Sequence, residues 1–262
     1  MDSACAALLH MARNERGRYK RCMKTQALEY AYGGVTFIGE LARPDTQSGA
    51  RPGILVVHEG TGITDHAKRR ARELAERGFV ALAADMYGGG SVAPSLLEGR
   101  PRMMELRNDL DLLRGRVNAG LTALRAQPGV DAKRLGAIGF CFGGLCVLEL
   151  ARSGADVAGV VSFHGILRSD RPARPGDIKG KVLACHGAAD PFVPAEEVAG
   201  FEKELTEAGV DWHLLVNGGA GHGFTNPGAS NLGVPGVAYD ERAERRSFAA
   251  MRDFFDALFG AP

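Results

Sequence analysis

Apolar and polar positions along this 262-residue chain fall into two alternating rhythms. The unbroken apolar run Ile54 to Val57 predicts a buried strand, and the apolar-rich stretches Phe79 to Ala84, Leu135 to Ile138, Val157 to Phe163 and Lys181 to Cys185 read as further strands. A last strand is expected near Trp212 to Val216, and Ala27 to Tyr32 with Val35 to Leu41 reads as an antiparallel pair. Three-four spacing predicts helices between them: Lys68 to Arg77, Phe142 to Arg152, Ala195 to Ala208 and about Asp240 to Phe259. From Met103 to Gln127, apolar residues at Leu106, Leu110, Leu113, Val117, Leu121 and Leu124 predict one long amphipathic helix, ended by Pro128-Gly129. Gly88 to Arg102 reads as a surface loop. The alternation implies an α/β fold, a doubly wound and mostly parallel central sheet with helices on both faces, in a single domain over 24–262.

Residues 1–23 stand apart. Apolar Cys5 to Leu9 precedes Arg13, Arg16, Arg18, Lys20 and Arg21, the reverse of the order in a secretory signal, and Asp2 and Glu15 weigh against a transit segment. The stretch is expected to be a poorly ordered extension, with Met23 an alternative start to Met1.

Composition changes the picture little. With 45% hydrophobic and 24% charged residues and a net charge of +1, nothing points to nucleic acid or an anionic membrane as partner. No apolar run approaches the roughly 20 residues of a membrane span. Five cysteines, an odd count without an export signal, suggest a reducing cytoplasm. Cys141 and Cys146 lack a second pair, and no HxH or HExxH pattern accompanies the histidines, so neither metal nor cofactor is expected. The run Lys68-Arg69-Arg70-Ala71-Arg72 reads as a solvated helix face balanced by Glu73 and Glu76, with Thr64 and Asp65 as caps.

The candidate chemistry sits where apolar runs end. Gly139-Phe140-Cys141-Phe142-Gly143-Gly144 joins a strand to a helix through small residues, the layout of a nucleophile elbow with a thiol at its apex. Asp190 and His222 follow later strands, so nucleophile, acid and histidine come in chain order at strand ends. A helix N-terminus favours the thiolate, His222 could take its proton, and Asp190 could hold the imidazole. The N–H groups of Phe142 and Gly60 are the expected oxyanion donors. Glu59, beside Gly60, is placed to affect thiol ionisation, and His58, His164 and His186 fall near the pocket. Asp190 is also a candidate helix cap, while Cys146 and Cys185 read as packing residues.

These motifs resemble the dienelactone hydrolase (carboxymethylenebutenolidase) family of the α/β-hydrolase superfamily. Gly139, Cys141, Gly143 and Gly144 match its elbow; His186, Gly187, Asp190, Val193 and Pro194 match its acid segment; Gly221, His222 and Phe224 match its histidine segment. Glu59, Asp85 and Tyr87 match further positions, and the similarity runs from about Ala27 to Phe259. The resemblance implies a Cys141–His222–Asp190 triad, a thioacyl-enzyme intermediate, a small ester or lactone substrate, and a role for Glu59 in ionising the thiol. It also marks Tyr87, His164, Phe224 and Asn226 as pocket candidates. Where family members hold a substrate carboxylate with two arginines, this chain has Gly88-Gly89 and Asn226, which removes a bidentate, charge-assisted clamp. A general carboxylesterase or thioesterase, and a non-hydrolytic binding or thiol-sensing protein on the same fold, are the alternative readings. A monomer or small homo-oligomer is expected.

Overall fold

The computed structural model describes residues 23–45 and 49–260. The expected N-terminal extension lies outside the described residues, except for Met23, which opens the first strand. Strands β1 (Met23–Tyr32) and β2 (Val35–Pro44) form an antiparallel hairpin with Tyr32 paired to Val35. Gly33 and Gly34 supply the two positive φ values (58° and 77°) that such a two-residue turn needs. Then come β3 (Arg51–Val57), α1 (Asp65–Glu76), β4 (Val80–Ala84), α2 (Leu96–Asn108), α3 (Leu110–Arg125), β5 (Val130–Phe140) and α4 (Phe142–Arg152). The chain continues through β6 (Gly159–Phe163), β7 (Lys181–Gly187), α5 (Ala195–Glu207), β8 (Trp212–Asn217) and α6 (Glu241–Phe259).

Among the described residues the strands make one eight-stranded sheet in the order β1-β2-β4-β3-β5-β6-β7-β8. It is antiparallel at β1, β2 and β4 and parallel from β4 onward, as the apolar runs predict. Alternate strand residues feed two cores. Leu55, Val57, Leu82 and Ala137 pack towards α3, α4 and α5. Ile54, Val56, Ala83 and Ile138 pack towards α1 and α6.

Two expectations fail around residue 100. The long helix is broken at Asp109, whose backbone (φ −125°, ψ 89°) leaves the helical region and whose Oδ1 accepts the Leu112 N–H at 2.9 Å. A side chain that offers the backbone another acceptor ends α2 and caps α3. The preceding loop is also partly helical. Ser95 and Glu98 form a reciprocal cap for α2, with Glu98 N–H donating to Ser95 Oγ at 3.2 Å and Ser95 Oγ donating to Glu98 Oε1 at 3.0 Å. Pro101 inside α2 and its weak apolar rhythm hide it from a periodicity reading.

The basic run is not a wholly solvated face. Arg70 is buried, donating from Nη2 to the Thr225 carbonyl at 2.8 Å and to Glu244, and from Nη1 to Glu73 at 2.9 Å. Arg72 makes a two-pronged pair with Glu40 at 2.8 and 2.9 Å. The run is drawn inward because α1 packs beneath the segment that follows His222. Thr64 holds the N-cap position of α1 without a side-chain hydrogen bond.

A buried charge cluster anchors α4. Glu149, fully buried, accepts from Arg114 Nε and Nη2 at 3.0 and 2.7 Å and from Arg152 Nη1 at 3.1 Å. Arg152 in turn pairs with Glu204 of α5 through two 2.8 Å bonds and donates to the Leu167 carbonyl at 2.7 Å. Removing one partner of such a cluster strands the other charges without solvent. Glu149→Leu should therefore cost about 3–5 kcal/mol, read as a lowered urea midpoint; an unchanged midpoint would deny the cluster this role.

Candidate active site

Strand β5 runs straight into α4, and the turn between them can be made only by crowding backbone on backbone. A Cβ at Gly139 would overlap the Gly143 carbonyl, and one at Gly143 would overlap the Val57 carbonyl of β3. With hydrogen in those places, Cys141 is forced to the apex at φ 55°, ψ −114°, a conformation that costs a non-glycine residue about 1–3 kcal/mol. Its N–H is shared between the Phe163 carbonyl (3.0 Å) and His164 Nδ1 (3.1 Å). The side chain projects half-exposed at the N-terminus of α4. Cys146 and Cys185 are buried, and burial pushes both thiols up, that of Cys185 to about 12. They stay protonated and inert.

Asp190 lies just past β7 and His222 in the segment after β8. His222 Nδ1 donates to Asp190 Oδ2 at 2.8 Å, which leaves Nε2 for the hydrogen bond with Cys141. Burial opposes charge on this imidazole. The charge of Cys141, the hydrogen bonds with Asp190 and Cys141, and the charge of Asp190 outweigh it and raise the pKa to about 10. The His222 loop is pinned by its own N–H to the Gly236 carbonyl (2.8 Å) and by Ala238 N–H to its carbonyl (3.0 Å). Asp190 does not cap α5, whose N-cap is Pro194; its Oδ1 instead accepts the Phe192 N–H at 2.9 Å. The acid is held by its own turn.

The segment after β3 brings Glu59 and Gly60 to the same end of the sheet. Glu59 Oε2 accepts from Asn226 Nδ2 at 2.7 Å. Burial raises the Glu59 carboxyl to about 7, against the opposing influence of Asn226, His222, Arg70 and Arg69. Among the described residues no backbone carbonyl accepts from the N–H of Gly60 or Phe142, so both donors are available. Tyr87 donates its hydroxyl to the Gly60 carbonyl at 2.9 Å and stacks on Phe142, bracing this wall.

Three histidine and aromatic positions differ from the sequence expectation. His164 is fully buried beneath Cys141, with a positive φ of 40° and its Nε2 2.8 Å from Thr225 Oγ1, so it supports the elbow rather than lining a pocket. Phe224 is fully buried against it, with ring centroids 5.0 Å apart, because its alternation with Gly223 turns it into the α6-side core. His58 is buried and satisfied, its Nδ1 donating to the Glu59 carbonyl at 2.6 Å while Nε2 accepts the Met86 N–H at 3.1 Å.

Sequence reasoning missed Phe192, whose half-exposed ring meets His222 edge-on at 5.0 Å, and the pair His66 and Thr225 behind Glu59. His66 and Arg70 share the inward side of α1 with Leu74, a four-residue spacing that was the available signal. Among the described residues no three His, Cys, Asp or Glu side chains are grouped as a metal requires, and no helix is long and apolar enough to cross a membrane.

Comparison with known proteins places this arrangement. Residues 37–259 match the model of the dienelactone hydrolase family. A probable 2-oxo-3-(5-oxofuran-2-ylidene)propanoate lactonase of Bradyrhizobium is 32% identical over 202 residues, covering 73% of this chain and 80% of that protein. A putative carboxymethylenebutenolidase of Yersinia pestis is 29% identical, covering 70% and 72%. The crystal structure of P91, a dienelactone hydrolase-like promiscuous phosphotriesterase from metagenomic libraries, superimposes with a TM-score of 0.87 at 44% identity, covering 91% of this chain and 99% of that one. A Klebsiella pneumoniae structure at 23% identity (TM-score 0.72, covering 89% and 98%) shares the same α/β-hydrolase fold. The elbow, the strand-end carboxylate and the closing histidine thus sit on a shared scaffold: the chain belongs to the dienelactone hydrolase family and is a hydrolase.

Proposed function

We propose that the chain hydrolyses small, uncharged esters and lactones with Cys141 as nucleophile, His222 as general base and acid, and Asp190 as its orienting carboxylate. The observation that carries this reading is the strained apex at Cys141 facing a histidine that the thiol itself helps to keep protonated. With the thiol proton resting on His222, the thiolate attacks the carbonyl carbon. The oxyanion is held by the N–H groups of Gly60 and Phe142. Collapse expels the alcohol, which leaves with the proton from His222, and a thioester remains on Cys141. A water that gives its proton to His222 then attacks the thioester. The acid departs, and the proton on His222 leaves a thiolate–imidazolium pair for the next turn.

The preference for uncharged substrates follows from Asn226, which spends its amide on Glu59 and brings no positive charge. A site without a carboxylate-binding arginine at position 226 also suits a phosphotriester, the substrate type named for P91. Half-exposed Cys141 needs a reducing compartment to stay a thiol, so we assign the enzyme to the cytoplasm.

The direct test is rapid mixing with p-nitrophenyl acetate. A burst of one p-nitrophenolate per chain should appear, with an acetyl group on the peptide that carries Cys141. Turnover with the acetyl on another residue, or with no acyl-enzyme under any condition, would reject the thiol mechanism. Paraoxon and an anionic dienelactone in parallel separate the substrate classes: the neutral compounds should give the higher kcat/KM.

A further inference from the structure

Behind Glu59 the hydrogen-bond accounting does not close without an additional proton. His66 is nine-tenths buried on the inward side of α1. Its Nε2 lies 3.1 Å from the Thr225 carbonyl, which also receives Arg70 Nη2 at 2.8 Å. A carbonyl only accepts, so Nε2 carries the hydrogen. A second hydrogen on Nδ1 would place a buried cation beside Arg69 and Arg70; burial and those two charges hold the imidazole down near 3. Nδ1 is therefore a bare lone pair, and among the described residues it has no hydrogen-bond partner. The atom it faces, at 3.5 Å, is Oε2 of Glu59.

Two acceptor atoms turned towards each other in a buried site repel. One proton between them removes the conflict. We propose that His66 is the positioning residue that keeps Glu59 a neutral carboxylic acid in the free enzyme, with Oε2–H donating to His66 Nδ1 while Oε2 accepts from Asn226. The proposal rests on the reading of Glu59 as part of the active site and adds what sets its protonation. The charged and titratable groups around the pair are accounted for from each side. Arg69 and Arg70 come from α1, with Arg70 paired to Glu73 and Glu244; His222 comes from its loop, and His164, kept neutral by burial and by the charges of His222 and His66, from the turn after β6. From β5, the Phe140 ring packs edge-on against His66 at 4.7 Å and offers no charge.

The arrangement has a consequence for the thiol. A carboxylate at this end of the sheet would raise the cost of forming a thiolate there by like-charge repulsion. A carboxylic acid held by His66 imposes no such cost, so the Cys141–His222 ion pair forms without a second anion in the site. It also matches an uncharged substrate, because nothing in the pocket then needs an arginine to balance it.

His66→Gln separates the two jobs of the ring. The glutamine amide can still donate to the Thr225 carbonyl, but its carbonyl oxygen is a far weaker base than the Nδ1 lone pair and holds the Glu59 proton less tightly. Infrared titration of the full chain should show a protonated-carboxyl band that is lost near pH 7 and is absent in Glu59→Gln, which assigns it. In His66→Gln the band should disappear about one pH unit lower, a tenfold weaker hold on the proton. The corresponding inflection in kcat/KM should move with it. A band missing from wild type at mildly acidic pH, or one unmoved by His66→Gln, overturns the proposal. So does a uniform fall in kcat with an unmoved inflection, the result expected if His66 only supports the Thr225 segment. The infrared result needs no turnover. A wild type that shows the band but forms no thioacyl-enzyme would leave the pair standing and remove the hydrolytic reading of the site instead.

Discussion

Cys141→Ala should lower kcat for p-nitrophenyl acetate by on the order of 10⁴ or more while leaving the fold intact. The size follows from what the thiol does. In the proposed mechanism it is the atom that forms the covalent bond, and its loss leaves only oriented donors and binding to act on the ester. Alanine is the fair substitution because it has the same backbone preferences as cysteine at the apex. The φ of 55° is imposed by the close approach of α4 to β3 and β5, not chosen by the side chain. Circular dichroism and the thermal midpoint should therefore match wild type. The same variant carries a second signature. His222 owes part of its raised pKa to Cys141, so the imidazole should titrate at lower pH without the thiol. Its proton NMR titration reads this directly. Retained turnover in Cys141→Ala would move the nucleophile elsewhere.

Much of this was visible along the chain, for a physical reason. Strands buried on both faces must be unbroken apolar runs, and an elbow needs glycine wherever backbones touch. β3 to β8 and the Gly139–Gly144 turn are therefore written locally. Asp190 and His222 inherit their places from the strands they follow. What was hidden depended on contacts distant in sequence. The break at Asp109 turns on one side-chain hydrogen bond inside a continuous apolar stripe. His164 could be located near the nucleophile, but its burial beneath Cys141 depends on Thr225, 61 residues away. Arg70 reads as one of several solvated cations until α6 supplies Glu244. The pairing of Glu59 with His66 needs three segments to meet, and no spacing encodes it.

Asp190→Ala should reduce kcat by about 10³- to 10⁴-fold, and comparison with Asp190→Asn divides that loss into orientation and charge. Asp190 Oδ2 is the acceptor for His222 Nδ1–H and is sealed from solvent. Alanine removes that acceptor, so the ring can rotate or take the other tautomer and turn its proton towards the thiol it should deprotonate. Asparagine can keep an oxygen at the same place and hence the tautomer, but it removes the negative charge that helps to stabilise the imidazolium. Its loss should be clearly smaller than that of alanine, and it should carry a pH signature. In wild type the raised pKa of His222, about 10, keeps its imidazole protonated across neutrality. The stability that this histidine contributes is full below its ordinary value near 6.5 and is lost as pH rises through about 10. With the charge of Asp190 gone, both the alkaline fall in activity and that loss of stability should begin at lower pH. The pH dependence of kcat/KM and of the thermal midpoint, measured together, reports the two. An asparagine variant as slow as alanine would mean that charge, not orientation, is the contribution of Asp190. Equal alkaline limbs in wild type and asparagine would mean that Cys141 alone holds the proton on His222.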